Sequence, residues 1–145
     1  MKIQIKLLRP DIHLPVYKHK GDAGMDLCNA GEEITLKSLE RTLIPTGLKV
    51  AVPENYELQI RPRSGLALKK GLTVLNTPGT IDAGYRGEIG IIVFNATKES
   101  VVIEKGERVA QAVLNKIEHI DWEKVDELDE TSRNEGGFGS TGHKK

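Results

Sequence analysis

The stretch NTPGTIDAGYRGEIGIIVFN, residues 76–95, carries the most specific pattern in this sequence. It joins a glycine turn, an aspartate at position 82, a Tyr-Arg-Gly turn and an apolar strand in which Ile89, Ile91 and Val93 share one face. Alternation with period two is the signal of a β-strand with one buried face. The stretch therefore resembles a β-hairpin that presents the carboxylate of Asp82.

Asp82 has two interpretations at this point. It is either an ordinary turn residue or a functional carboxylate, and it directly follows the strand end Thr80-Ile81, which would hold it firmly. A carboxylate that is fixed in place can orient a water molecule and take its proton. We therefore treat Asp82 as a candidate general base.

The same alternation recurs along the chain, so we expect an all-β fold of many short strands, as in a sandwich, barrel or jelly roll. The alternating runs include residues 3–7, 48–52, 56–60 and 101–103. Only two segments look helical. Ser64 to Lys70 ends at Gly71, the position that a helix C-cap prefers, whereas the acidic segment from Asp121 to Leu128 fits a loop equally well.

Composition and charge exclude several classes of protein. The 145 residues suffice for one domain with an apolar core, and 21 Lys and Arg balance 21 Asp and Glu. A protein that binds duplex DNA normally has a basic surface, so we expect no nucleic-acid partner. The start, MKIQIKLLRP, lacks the long apolar stretch of a signal peptide or membrane span, and the single cysteine, Cys28, favours a reducing compartment. We expect a cytoplasmic protein without membrane contact.

Standard catalytic motifs are missing from the sequence. It has no P-loop, no G-x-G-x-x-G after a strand, no H-E-x-x-H and no G-x-S-x-G. Asn95-Ala96-Thr97 matches a glycosylation acceptor, but such tripeptides often arise by chance.

Two segments place charged residues in unusual positions. AGMDLCNA, residues 23–30, puts Asp26 in an otherwise apolar strand, where a carboxylate is costly unless it is paired or near a metal; an edge or turn position is the commoner explanation. RPRSGLALKKG, residues 61–71, places Arg63 and Ser64 where a strand gives way to a short helix. Backbone N–H groups at a helix start attract phosphate, and serine is also a common N-cap, so both interpretations stay open.

Two further segments complete the set of candidates. GERVAQAVL, residues 106–114, has Gln111 among small and aliphatic residues, where an outward-facing strand residue is the local explanation. TSRNEGGFGSTGHKK, residues 131–145, has nothing to bury but combines Arg133 and Phe138 with Gly, Ser and Thr. Such a tail should be mobile by itself and suits a flap that closes over an anionic, planar ligand.

These five segments, in this order and from about residue 23 to 142, resemble the five motifs of the trimeric dUTPase family. The resemblance implies a distorted jelly-roll β-barrel of short strands with one short helix and a flexible C-terminal flap. It also implies a homotrimer with active sites shared between subunits. The reaction would be Mg²⁺-dependent hydrolysis of dUTP to dUMP and pyrophosphate, which keeps uracil out of DNA and supplies dUMP for thymidylate synthesis.

The resemblance assigns a role to each motif. Asp82 would activate the attacking water, and Tyr85 would pack against the deoxyribose and leave no room for a 2′-hydroxyl. Uracil would be read by the segment that contains Asn76, Gly79, Thr80 and Ile81. The triphosphate would be held by Arg63, Ser64, Gly65 and Gln111, and by a flap that contributes Arg133, Phe138, Gly139, Ser140 and Thr141. Asp26 and Gln111 would support the metal only through water, because the substrate triphosphate holds the ion.

The domain division that follows is a catalytic core over residues 1–130 and a flap over residues 131–145 that closes over a neighbouring subunit's site. Two positions depart from the family pattern. Asn134 follows Arg133 where glycine is usual, and Asn tolerates a left-handed backbone, so we expect little damage. Arg61 stands where a small or uncharged residue is usual; it either lies on the surface or adds positive charge at the triphosphate.

Two rival functions remain from the sequence. A dCTP deaminase shares the fold but needs a different acid–base residue and usually has a longer chain with a different tail. A nucleotide sensor without catalysis would be expected to lose Asp82 or the flap, and this sequence has both.

Overall fold

The protein was analysed as a computed structural model that describes residues 1–138. Short strands and one helix alternate with turns, in the order β1 Gln4–Leu7, β2 Gly24–Cys28, β3 Ile34–Leu36, β4 Arg41–Pro45, β5 Leu48–Ala51, β6 Tyr56–Arg61, α1 Ser64–Lys70, β7 Leu72–Val74, β8 Gly79–Ile81, β9 Gly90–Asn95, β10 Val101–Ile103 and β11 Arg108–Lys116. The predicted all-β class with one short helix is confirmed. Residues 121–128 form no helix, so the loop alternative holds there.

The strands pair antiparallel in four small sheets, in the orders β1-β5, β3-β10, β2-β11-β6-β8 and β4-β9-β7. Within the described residues the ladders do not join into one closed barrel. One apolar core serves all four sheets, with members such as Leu27, Ile44, Leu58, Ile91 and Ile103. β6 and β9 have buried residues at alternate positions, as the period-two pattern requires.

The hairpin predicted for residues 76–95 is wrong. β8 pairs with β6, whereas β9 pairs with β4 and β7, so this stretch crosses from the four-stranded sheet to the three-stranded sheet. All three pairings join residues far apart in sequence, and local turn signals carry no information about such partners. The crossing leaves residues 82–89 as a loop between two sheets.

The helix begins and ends where the sequence places it. Gly71 adopts the left-handed conformation at the C-cap, with φ of 61°, and Lys69 and Lys70 lie in the last turn beside the negative end of the helix dipole. The helix starts differently from the capping interpretation. Arg63 occupies the N-cap with an extended backbone and makes no side-chain capping bond, so Ser64 is the first helical residue and caps nothing.

Candidate active site

Asp26 lies on an edge strand in an ion-pair cluster. Its Oδ1 is 2.7 Å from Nε of Arg63, and its Oδ2 is 3.6 Å from Nε of Arg108. Arg63 also donates from Nη1 to the backbone oxygen of Arg108 at 3.1 Å. The carboxylate is only 34% exposed, and the pairing offsets the cost of removing it from water. The edge position and the paired-carboxylate explanation are therefore both correct.

Arg108 is a member of this cluster that the sequence analysis missed. It is the first residue of β11, three positions before Gln111. A register shift between Arg108 and Ala110 interrupts the pairing of β11 with β2 at this point. Because such irregularities redirect side chains, the strand alternation did not reveal that Arg108 would reach Asp26. The only sequence signal was a cation at the start of the strand that carries Gln111.

Gln111 sits between Asp26 and Arg61 in a row across three strands. Residues directly opposite each other in antiparallel strands share a face, so these three side chains lie on the same side of the sheet. Gln111 donates from Nε2 to the backbone oxygen of Pro62 at 2.9 Å. Gly24 leaves the space that the Gln111 amide uses, since a Cβ at that position would lie 2.4 Å from Oε1.

An open groove of about 550 Å³ runs beside this row. It is lined by Gln59, Arg61, Pro62, Arg63, Ser64, Ala67, Thr77, Pro78 and Gln111. Three of the residues assigned to the triphosphate, Arg63, Ser64 and Gln111, thus border one space. Arg61 borders it too, although its Nε is held by Oε1 of Gln59 at 2.9 Å. The groove has cations on its walls, which favours an anionic ligand.

Asp82 lies at the other end of β8, in the loop that crosses between sheets. The peptide N–H of Tyr85 donates to the Asp82 backbone oxygen at 3.1 Å, which closes a turn. Arg86 curls back and donates from Nη1 to the backbone oxygens of Ala83 and Tyr85 at 2.6 and 2.8 Å. The Asp82 side chain is exposed, and within residues 1–138 its carboxylate has no hydrogen-bond or ion-pair partner. Its lone pairs are free to accept from water.

Tyr85 has a fixed position within the same loop. Its hydroxyl donates to the backbone oxygen of Glu88 at 2.9 Å. The ring lies over Gly87, where an added Cβ would come within 2.2 Å of the hydroxyl oxygen. The side chain is 44% exposed, so part of its surface remains accessible to a ligand.

Asn76, Gly79, Thr80 and Ile81 surround a small cavity of about 50 Å³, together with Ile60, Val74, Gly90, Ile91 and Ile92. β8 is the edge strand of its sheet, paired only with β6. An edge strand presents unpaired backbone N–H and C=O groups along its outer side. Gly79 keeps the approach open, since a Cβ there would meet Nδ2 of Asn76 at 3.3 Å. These groups could match the donor and acceptor pattern of a planar base.

One chain keeps these two groups of residues apart. The groove with Arg63 borders Thr77 and Pro78 before β8, whereas Asp82 follows the end of β8. β8 spans only Gly79–Ile81 and follows a turn over residues 75–78, so the groove and Asp82 lie at opposite ends of this strand. The structure therefore brings together Arg63, Ser64 and Gln111 beside Thr77 and Pro78, with Asp26 paired to Arg63, and places Asp82 and Tyr85 beyond the other end of β8.

Within residues 131–138, no hydrogen bond or ion pair reaches either group. Arg133 donates from Nε to the backbone oxygen of Gly136 at 2.8 Å, and Phe138 is fully exposed. Asn134 has a positive φ of 38°, the left-handed conformation that its side chain tolerates, and it exchanges two hydrogen bonds with Thr131. Gly65 is exposed on the first turn of α1, with no atom near the place of its absent Cβ. Gly139, Ser140 and Thr141 lie outside the described residues.

The side chains that could bind a metal fit an ion that arrives already bound to the phosphates of its ligand. Among residues 1–138 no group of three or more His, Cys, Asp and Glu side chains could hold an ion. Mg²⁺ keeps several waters and is commonly bound through one or two carboxylates and substrate phosphates. Asp26 forms ion pairs with two guanidinium groups, and because a carboxylate has about four acceptor sites it retains capacity for a metal-bound water.

The sequence matches the dUTPase family model over residues 10–142. A deoxyuridine 5′-triphosphate nucleotidohydrolase of Fusobacterium nucleatum subsp. nucleatum is 59% identical over 143 residues, which make up 97% of this chain and 98% of that protein. The protein of the same name from a Hydrogenobaculum species is 51% identical over 144 residues, with 99% and 100% covered. Relatives at this level of identity and coverage share the family.

Solved structures give the same result. A variant dUTPase of Staphylococcus bacteriophage 80alpha with dUpNHpp superimposes with a TM-score of 0.87 at 32% identity, over 97% of this chain and 98% of that one. A variant dUTPase of the S. aureus phage phi11 gives 0.81 at 28% identity, over 90% and 100%. The fold is thus the jelly-roll-like fold of nucleotide-binding hydrolases, and the chain belongs to the dUTPase family. Its activity is the hydrolysis of dUTP.

No helix among residues 1–138 is long and apolar enough to cross a membrane.

Proposed function

We propose that this enzyme splits dUTP into dUMP and pyrophosphate, with Asp82 as the general base. The exposed carboxylate at the end of β8, which has no hydrogen-bond or ion-pair partner among residues 1–138 and lies beside the open edge of that strand, is the observation that carries this proposal. Asp82 would orient a water molecule, accept its proton and direct its oxygen to the α-phosphorus. The bond from the α-phosphorus to the bridging oxygen breaks, and pyrophosphate leaves with the electron pair.

Recognition would divide between the two groups of residues. The outer edge of β8, with Asn76, would hydrogen-bond uracil, and a cytosine would leave those groups unpaired, which is a strong basis for rejection. The accessible part of Tyr85 would pack against the deoxyribose. Arg63, Ser64, Gly65 and Gln111 would hold the triphosphate, and the guanidinium of Arg63 would stabilise the charge that develops on the phosphate oxygens.

Magnesium would be held by the triphosphate, with Asp26 and Gln111 reached through water. When bound, Mg²⁺ neutralises phosphate charge and orients the phosphate chain. A solved structure of phage phi11 dUTPase concerns the coordination of a structural Mg(II) ion, which supports a role for this metal in the family. The ion pairs among Asp26, Arg63 and Arg108 would keep the Asp26 carboxylate and the Arg63 guanidinium at fixed positions.

The active enzyme would be a homotrimer whose sites combine residues from different chains. The positions of the Arg63 groove and the Asp82 loop at opposite ends of β8 support this, because reacting groups must lie within contact of one substrate. A second chain could place its groove against the Asp82 loop of the first. Residues 1–130 would form the core, and residues 131–145 would close as a flexible flap over a neighbour's site, with Arg133 on phosphate and Phe138 on uracil.

The cellular role would be to keep uracil out of DNA and to supply dUMP for thymidylate synthesis, in the cytoplasm and without a nucleic-acid partner. The balanced charge of 21 cationic and 21 acidic residues supports a small-molecule substrate rather than a long polyanion.

The test is pyrophosphate release from dUTP, dCTP, dTTP and UTP, each with Mg²⁺ and with EDTA. Fast, metal-dependent release from dUTP alone is expected. Equal release from UTP would contradict the role of Tyr85, and equal release in EDTA would contradict the role of the metal. Ammonia released from dCTP would indicate a deaminase instead.

A further inference from the structure

The base of the Asp82 loop is tied to the turn between β4 and β5. Ile89, where the loop ends, donates its N–H to the backbone oxygen of Leu48 at 2.8 Å. Its own backbone oxygen accepts from Thr46, at 3.3 Å from the peptide N–H and 2.7 Å from Oγ1. Ile89 is therefore fixed by backbone bonds that do not depend on the loop side chains.

Glu88, one residue earlier, makes a tie of a different kind. Its Oε1 accepts from the peptide N–H of Gly47 at 2.8 Å, and its backbone oxygen accepts from the hydroxyl of Tyr85 at 2.9 Å. One residue thus joins the β4–β5 turn to the ring of Tyr85. The side chain makes the first bond and the main chain makes the second.

The Gly47 end of this tie is rigid. Gly47 has a left-handed φ of 69°, and an added Cβ would lie 2.7 Å from Cγ1 of Ile12, so the turn has little room to move. Its backbone oxygen accepts from the N–H of Leu8 at 2.9 Å, which binds the turn to the segment after β1. A hydrogen bond from a fixed N–H to a carboxylate is strong and short, and it defines the position of the acceptor.

We propose that Glu88 is a positioning residue for sugar selection: the Ile89–Leu48 bond holds the peptide that carries the Glu88 backbone oxygen, and the Glu88 carboxylate, anchored on Gly47, fixes the direction in which the chain leaves this peptide toward Tyr85. This inference rests on the proposed role of Tyr85 against the deoxyribose. Without the carboxylate, the segment that precedes Glu88 can rotate about the Cα–C bond of Glu88, and the ring of Tyr85 can move away from the space of a 2′-hydroxyl. Shifts of about 1 Å in a positioning group can change rates by up to about 10²-fold.

The test compares three substitutions in the full-length enzyme. Glu88→Met keeps the length of the side chain but removes the acceptor, and Glu88→Ser is a polar alternative if the methionine variant does not fold. Glu88→Gln keeps an oxygen that can accept from Gly47. The matched control is Glu40→Met, because Oε2 of Glu40 accepts from the N–H of Lys37 at 2.8 Å, the same kind of bond in a turn remote from this loop.

The readout is the ratio of kcat/KM for dUTP to that for UTP. We expect Glu88→Met or Glu88→Ser to lower this ratio about tenfold, while Glu88→Gln and Glu40→Met retain it. A general loss of stability lowers both rates and leaves the ratio unchanged, so the ratio separates positioning from folding. An unchanged ratio in the folded serine variant, or an equal fall in Glu88→Gln, would overturn the proposal.

Tyr85→Ala, measured in parallel, separates this inference from the proposal beneath it. If the alanine variant loses selectivity and the Glu88 variants do not, only the positioning role fails. If the alanine variant keeps the selectivity of the natural enzyme, the role of Tyr85 is wrong and the role of Glu88 is overturned with it.

Discussion

Asn95 and Asp82 are both polar residues at the end of a strand, yet the fold treats them in opposite ways. Asn95 is fully buried, and its Nδ2 donates to the backbone oxygens of Leu36, Lys37 and Glu99 at 2.8–3.0 Å. Its Oδ1 accepts from Thr97, both from the peptide N–H and from Oγ1. Asp82 is exposed, and within residues 1–138 its carboxylate has no such partner.

The difference separates residues that build the fold from residues that are available for chemistry. A buried amide with every hydrogen bond made stabilises the turns around it and has nothing left for a ligand. The burial of Asn95 also excludes the Asn95-Ala96-Thr97 tripeptide as a glycosylation acceptor, because the amide nitrogen lies inside the protein and already makes hydrogen bonds. An exposed carboxylate on a well-fixed backbone has free lone pairs at a defined place, which is what a general base needs.

The largest effect is expected for Asp82→Asn, which tests whether Asp82 is available for chemistry. The amide cannot take a proton from water, so we expect kcat to fall about 10²–10⁴-fold. The residue is exposed, so the free energy of unfolding should change by less than about 0.5 kcal/mol. Steady-state kinetics and a urea titration measure the two effects. Near-normal turnover would show that Asp82 is not the base.

Removal of the tail tests whether chemistry lies outside the packed core. Residues 131–138 make only local hydrogen bonds, so a chain that ends at Ser132 should fold normally. Loss of the proposed phosphate contact of Arg133 and ring of Phe138 should lower kcat/KM by about 100-fold. Thermal melting and gel filtration are the controls. Unfolding of the shortened chain would mean that the tail is structural.

Asn95→Ala should give the reverse result. Three backbone oxygens lose their donor, of which that of Leu36 is buried, and we expect a destabilisation of about 3 kcal/mol, with kcat/KM retained in the fraction that is folded. The matched control is Asn115→Ala, because Nδ2 of Asn115 is buried and finds no partner in the described part of the chain. Its loss should cost little. Equal destabilisation by the two substitutions in a denaturant titration would contradict the argument from hydrogen bonding.

The smallest expected effect concerns Cys28, which lies next to the Asp26 cluster. Burial raises the pKa of the Cys28 thiol above its ordinary value, and the guanidinium of Arg108 opposes this rise. A higher pKa means less thiolate, so alkylation by iodoacetamide at pH 8 should be slower in the folded protein than in urea. Arg108→Gln should slow it further in the folded protein. A faster reaction in that variant would show that access, not charge, controls the thiol.

Local patterns in the sequence were sufficient for many of the elements. Period-two alternation predicted β1, β5, β6, β9 and β10, and the Gly71 cap predicted the helix from Ser64 to Lys70, because both signals depend on neighbours within a few residues. The order of the five motifs was sufficient for the family and for its reaction. The roles assigned to single residues, such as Asp82 and Arg133, stay predictions that the experiments above decide.

The sequence by itself thus determined the all-β class, the helix with its C-cap, and the family. Only the tertiary structure decided that β8 pairs with β6 rather than β9, that Arg108 joins Asp26 and Arg63, and that Glu88 reaches Gly47. The physical reason is the distance along the chain. Strand partners and ion pairs join residues tens of positions apart, and the packing of the whole core selects them. The alternation of a strand and the cap of a helix depend only on residues within that strand or turn.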